Sequence, residues 1–220
     1  MNRATEDKRA GWIDISQPLK AGIAVWPGDP EFTSGFSSSM GSGDPYNVGR
    51  VNLGLHTGTH AESPLHFERS GRDIAAYPLE IFIGRAQVVL ASGQRVIDLS
   101  FVQQFNTLPE RLLLKTGSGV ERGWHEEFAC LDSAAAEWLA GRGVRLLGID
   151  SPSVDAARST SWPAHRALAR SGVVVLENLC LDAVQAGWFE LVALPLNLPG
   201  IEASPVRAVL RPLSGGEGPQ

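Results

Sequence analysis

His56-Thr57-Gly58-Thr59-His60-Ala61-Glu62-Ser63-Pro64-Leu65-His66-Phe67 gathers three of the chain's five histidines and one carboxylate into twelve residues. Upstream, Val51-Asn52-Leu53-Gly54-Leu55-His56 alternates apolar residues at odd positions with small or polar ones at even positions. That period of two predicts a half-buried strand over 51–56, with His56 leaving it on the face away from the core. His60, Glu62 and His66 keep the even parity, although Gly58 and Pro64 must bend the chain between them. Gly58 admits a close backbone approach or an unusual φ, and Pro64 stiffens the exit. Imidazole and carboxylate donors at this spacing suit a borderline divalent ion such as Zn²⁺. A histidine-rich surface loop is the alternative. Three imidazoles and a carboxylate between an apolar run and Pro-Leu-His-Phe favour the metal site.

Working outward, 12–213 is expected to form one domain, with 1–11 and 214–220 as flexible termini. A formal charge of -5, with no cluster of Lys and Arg, argues against a nucleic-acid partner. Cys130 and Cys180 lack metal-type spacing and sit in apolar company, so buried free thiols are expected. The first nine residues are polar, and no apolar run is long enough to span a bilayer. A cytoplasmic protein without a membrane partner is the expectation.

Short apolar runs at 12–16, 87–91, 111–115, 144–149, 173–176, 189–194 and 206–213 read as strands. Helix-forming residues 134–140, capped by Asp132 or Ser133 and ended by Gly141, separate two of them. A second helix is expected to start at Ser161-Trp162-Pro163-Ala164-His165, with Ser161 as its cap, and to stop at Gly172. This succession is that of an α/β domain. Residues 32–46 read as a Gly/Ser-rich loop, and 67–78 as a polar, mobile wall beside the site.

Four further positions stand out. Trp26, in Trp26-Pro27-Gly28-Asp29-Pro30, is either a core plug or a contact wall. Asp150 follows a strand at its carboxyl end, where ligands of α/β folds gather, though a loop-bracing role fits as well. Glu177 follows Val-Val-Val-Leu directly, and a carboxylate there is costly to bury unless something positive, such as a metal ion, compensates it. Otherwise it emerges into water. His125, in a polar stretch, reads as an ordinary surface residue.

The stretch 56–67 resembles the signature His-x-Gly-Thr-His-x-Asp-x-Pro-x-His-Phe of the metal-dependent cyclase hydrolases, with Glu62 in the place of the usual Asp. The resemblance runs from Trp12-Ile13-Asp14-Ile15-Ser16 to Ser204-Pro205-Val206-Arg207-Ala208-Val209-Leu210-Arg211, nearly the whole chain, and is greatest to the family's bacterial arylformamidases. It implies a cyclase-like swivelling β/α/β fold: one α/β domain with a mixed central β-sheet and flanking helices. It also implies two divalent ions, Zn²⁺ or alternatively Mn²⁺, held by His56, His60, Glu62, His165 and Glu177. On the same resemblance His66 is the catalytic acid and base, and Trp26 contacts an aromatic substrate. The implied reaction is hydrolysis of a small aryl formamide, N-formylkynurenine, in tryptophan breakdown, by a homodimer or larger homo-oligomer. Two alternatives accompany it: a cyclic amide such as isatin as substrate, or a metal-binding homologue whose catalysis the Glu62 change has weakened. The chain has no Gly-x-Ser-x-Gly elbow, which argues against a serine hydrolase.

Overall fold

The computed structural model describes residues 11–120 and 123–213. In chain order its strands are β1 (Ile13–Asp14), β2 (Thr33–Ser38), β3 (Val48–Asn52), β4 (His60–Glu62), β5 (Ile83–Leu90), β6 (Val96–Ile97), β7 (Arg111–Lys115), β8 (Cys130–Leu131), β9 (Leu146–Ile149), β10 (Val174–Glu177), β11 (Gly187–Val192), β12 (Ala203–Pro205) and β13 (Val209–Pro212). The helices are α1 (Leu99–Val102), α2 (Ser133–Gly141) and α3 (Pro163–Arg170). The termini expected to be flexible lie outside the described residues, apart from Gly11.

Nine strands form one mixed sheet in the order β1-β13-β11-β5-β7-β9-β10-β4-β12. The central strands β5, β7, β9 and β10 run parallel, and every other pairing in this sheet is antiparallel. Parallel neighbours need crossovers, and these carry the three helices.

The connection from β12 to β13 dictates the shape of the sheet. These strands lie seven places apart in the sheet order. In a flat sheet that is about 34 Å at ~4.8 Å per strand. Only Val206, Arg207 and Ala208 join them, a reach of about 14 Å at most. The sheet must therefore curl until its ends meet. Backbone bonds close the seam: Val206 N–H to Thr59 O (3.0 Å), Ile15 N–H to Ala208 O (2.9 Å) and Cys180 N–H to Ile15 O (2.8 Å).

Curling creates one core inside the sheet and a second between its outer face and the helices. Side chains alternate between them along each central strand. Leu113, Leu146, Val174 and Leu176 point inward, whereas Leu112, Leu114, Leu147, Ile149 and Val175 pack towards the helices. Burial on both faces explains why these strands read as unbroken apolar runs. Gly148 interrupts β9 because a Cβ there would collide with Leu113 and Leu179.

Several expectations are corrected. The strand expected over 51–56 ends at Asn52 and begins at Val48. It pairs with β2, which occupies much of the supposed loop 32–46, in a separate two-stranded ribbon. Both faces of that ribbon are open, so Val51 is 64% exposed although its alternation suggested burial. His56 sits in the turn closed by Thr57 N–H to Gly54 O. The run 206–213 splits at the seam, leaving β13 as its strand. Segment 67–78 is anchored rather than a free wall: Ile74 and Tyr77 are buried, and Ile74 N–H bonds to Ile201 O at 3.0 Å. Asp132 caps α2 through Ala135 N–H. The N-cap of α3 is Trp162, not Ser161. Neither cysteine forms a disulfide among the described residues; Cys130 is buried and Cys180 half-buried. No described helix is long and apolar enough to cross a membrane.

Candidate metal centre

Strand register puts the candidate ligands on one face. Across the antiparallel β4–β10 pair, His60 lies opposite Glu177, and Glu62 opposite Val175. Directly opposed residues share a face, and so do residues two apart on one strand. His60, Glu62 and Glu177 therefore point outward with Val175, while Ala61 and Leu176 fill the inner core. The outer face is where α3 packs, and its third residue, His165, meets the three from above. All four are at most 3% exposed.

The donor atoms converge. Glu62 turns Oε1 against His165 Nε2 and Oε2 towards His56 Nδ1, the latter at 3.5 Å. Glu177 Oε2 lies 3.5 Å from His60 Nε2, and its Oε1 3.4 Å from His165 Nε2. His56 Nδ1 is 3.1 Å from His60 Nε2. Two groups result, His56 with Glu62 and His66, and His60 with Glu62 and Glu177; within each, the ligand atoms lie within 4.8 Å of one another. Glu62 belongs to both.

Each of three imidazoles turns one nitrogen to this cluster and the other to an acceptor. His60 Nδ1 is 2.9 Å from Gly58 O, and His165 Nδ1 is 2.6 Å from Asp155 Oδ2. His56 Nε2 faces Glu202 Oε1 at 3.5 Å. Acceptors behind the rings fix tautomer and orientation, as they do around metal-bound histidines. Gly58 serves its turn at φ +66, where a side chain would be strained. Asp155 does more: its carboxylate also accepts the Ala164 and His165 backbone N–H groups at 2.9 and 3.1 Å. It caps α3 from outside the helix.

The electrostatics also fit a cation. Burial pushes the His165 imidazolium down, yet Glu62, Asp155 and Glu177 together hold it well above its ordinary value. Burial likewise opposes the Glu177 carboxylate, but hydrogen bonds from His165 and His60 keep it far below the usual range. Two buried carboxylates need positive charge beside them. A divalent ion would supply it, and the imidazoles would give up their protons to bind it. Glu62 Oε1 and His165 Nε2 are buried and lie against each other, so a cation that displaced the imidazole proton would find both donor atoms already together. An all-nitrogen and oxygen donor set suits Zn²⁺ or Mn²⁺.

His66 ends the single 3₁₀ turn Pro64–His66, half-buried, its ring 4.3 Å from that of His56 and 5.1 Å from that of Trp162. Burial holds its imidazole below the ordinary value despite nearby Glu62. The cluster, with Trp162 packed on His66 and His165, lines a cleft together with Trp26, Val120 and Trp124. Trp26 stands edge-on to Trp124 at 4.8 Å and to Phe128 at 6.2 Å, on a turn closed by Asp29 N–H to Trp26 O. It is neither core plug nor free surface. Elsewhere, Asp150 braces a loop, accepting the Thr116 and Gly117 N–H groups at 3.0 and 2.9 Å. His125 is exposed.

Sequence reasoning missed Asp155, Trp124, Trp162 and Glu202. Trp162 alone left a sign, since a residue before proline is biased out of the helix. It takes φ 55.

A family model described as "putative cyclase" matches residues 13–156, and the chain belongs to that family. Kynurenine formamidase of Bacillus cytotoxicus is 41% identical over 208 residues, covering 94% of this chain and 100% of the relative. The solved structure of a potential metal-dependent hydrolase with cyclase activity aligns with a TM-score of 0.79 at 27% identity, covering 90% of this chain and 96% of the other. An isatin hydrolase bound to the product analogue thioisatinate shares the fold, with a TM-score of 0.77 at 19% identity over 90% and 91% of the two chains.

Proposed function

We propose that this protein is a metal-dependent arylformamidase that hydrolyses N-formyl-L-kynurenine to L-kynurenine and formate. The observation that carries the reading is the 41% identity along the whole length of a kynurenine formamidase. The convergence of His56, His60, Glu62, His165 and Glu177 supports it, as does the aromatic side of the cleft. These five residues are the proposed ligands, in one catalytic domain over 12–213, and Zn²⁺ the proposed metal at two ions per chain.

Ions held there would supply Lewis acidity to the formyl carbonyl and lower the pKa of water. The chain's own groups do the rest. Glu62 directs one oxygen to each half of the cluster, so its single charge serves both. His66, kept neutral by burial near pH 7, takes a proton from the attacking water and returns it to the departing aryl nitrogen. The water oxygen joins the formyl carbon, the C–N bond breaks, and formate and the aryl amine leave. Trp26 and Trp162 flank the aromatic ring and exclude water.

Assembly is proposed to be homodimeric. Exposed Phe36, Met40, Tyr46, Val48 and Val51 on the β2–β3 ribbon and its loop support an apolar face that a second copy covers. Two cysteines outside any disulfide fit the reducing cytoplasm. The test of function is turnover by zinc-loaded protein on N-formylkynurenine and isatin side by side. Faster turnover of N-formylkynurenine is expected. Preference for isatin, or no turnover of either, contradicts the proposal.

A further inference from the structure

Asp29 ends the turn that starts at Trp26, its N–H donating to Trp26 O at 2.9 Å. Such a turn brings its first and fourth residues within about 7 Å of each other. Both of these residues line the cleft and are half-buried, whereas Pro27 and Gly28 between them are exposed. The turn thus gives its base to the cleft and its tip to solvent. Only the backbone of Asp29 serves the turn: its carboxylate forms no hydrogen bond or ion pair among the described residues. The other carboxylates of the cleft, Glu62 and Glu177, belong to the cluster, and the neutral acceptors Ser153 and Asn178 are only 3% and 6% exposed. No lysine or arginine among the described residues lines the cleft. Asp29 is therefore an uncompensated negative charge beside the rings of Trp26 and Trp124, whose centres lie 4.8 Å apart. A carboxylate partly withdrawn from water gains by pairing with a cation, and tryptophan ring faces attract cations as well.

We propose that Asp29 is a specificity-determining residue whose carboxylate binds the α-ammonium group of an aryl formamide that carries an amino-acid side chain. The inference rests on the formamidase reading and deepens it. With the formyl group of N-formylkynurenine at the cluster, the ring lies against Trp26. The amino-acid chain leaves the ring from the carbon next to the one bearing the formamide, and it ends in an ammonium and a carboxylate. Asp29 stands beside Trp26 at the base of the turn, where it meets the ammonium. Its charge repels the substrate carboxylate, which decides which of the two end groups faces the turn. The pairing adds to binding and not to the chemical step, because the ammonium is remote from the C–N bond that breaks. A cyclic amide such as isatin carries no cation and gains nothing from Asp29.

The test compares N-formyl-L-kynurenine with its deamino analogue, in which hydrogen replaces the ammonium group, on zinc-loaded wild type and Asp29→Asn. The substitution removes the charge at nearly constant shape. Wild type is expected to prefer N-formyl-L-kynurenine. In Asp29→Asn, KM for that substrate is expected to rise about tenfold at constant kcat, the lower end of what a charged hydrogen bond contributes, because the pair stays partly in water. The deamino analogue is expected to keep its KM or to bind more tightly. Equal KM changes on the two substrates, or none on either, overturn the inference. Quenching of tryptophan fluorescence by L-kynurenine and by its deamino analogue gives a readout independent of turnover. Wild type is expected to bind L-kynurenine the more tightly, and Asp29→Asn to lose that preference; a preference that survives the substitution overturns the inference. Should Asp29→Asn not fold, a wild type that binds the two products equally overturns it too. A wild type that hydrolyses neither formamide defeats the formamidase reading instead, and the binding comparison still decides Asp29.

Discussion

On one side of the cleft, His60, Glu62 and Glu177 hang from paired strands and His165 from a helix clamped by Asp155, all of them buried. On the other, Trp26 and Trp124 sit half-buried on turns and loops and hold each other by ring contact. Metal ligation requires placement within about 0.5 Å, which sheet register and a capped helix can provide. Aromatic packing tolerates offsets of that size, because edge and stacked arrangements differ little in energy. The strand side should therefore govern metal binding and kcat, and the aromatic side KM and substrate choice. Substitutions on each side test whether the division holds.

The largest effect belongs to His66, which lies where the two sides meet. His66→Ala should lower kcat by about two to four orders of magnitude, the usual contribution of a general acid or base. Zinc content should stay near that of wild type. Loss of metal together with activity would instead make His66 a ligand, in the group it forms with His56 and Glu62.

Asp155 comes next. Asp155→Asn removes the charge behind His165 and should weaken zinc binding by about 10–100-fold, as losing the carboxylate behind a ligating histidine does. A competition titration with a chromophoric chelator measures this. Unchanged affinity would reduce Asp155 to a helix cap.

Trp26→Ala should have the smallest effect and on a different parameter. Losing one ring contact, worth about 0.5–1.5 kcal/mol, should raise KM for an aryl formamide by roughly 2–12-fold. Metal content and kcat should hold. A fall in kcat with loss of metal would show that the two sides are not separable.

The same contrast explains what was legible in the sequence. Parity placed His60 and Glu62 on one face because β4 is a true strand with neighbours on both sides. Glu177 was legible because a carboxylate ending a wholly apolar strand demands a reason. The same alternation misled at 51–56, since period two reports a strand and not what covers it. Asp155 was not legible: it reaches His165, ten positions on, across the irregular chain that precedes α3, and no local rule links a loop aspartate to the helix it caps. The rings of the far side meet only through the fold, with Trp26 and Trp124 almost a hundred residues apart in sequence. Glu62, the one departure from the family signature, reaches both His165 and His56 with its longer arm.

That reach is the centre of the account, and zinc content tests it most directly. Wild type and Glu62→Gln are loaded with Zn²⁺, freed of excess and measured by elemental analysis. Wild type should approach two ions per chain. Glu62→Gln removes the one charge that both groups share, so it should lose at least one ion together with formamide hydrolysis. Equal zinc in the two proteins, with activity unchanged, would contradict a bridging role for Glu62.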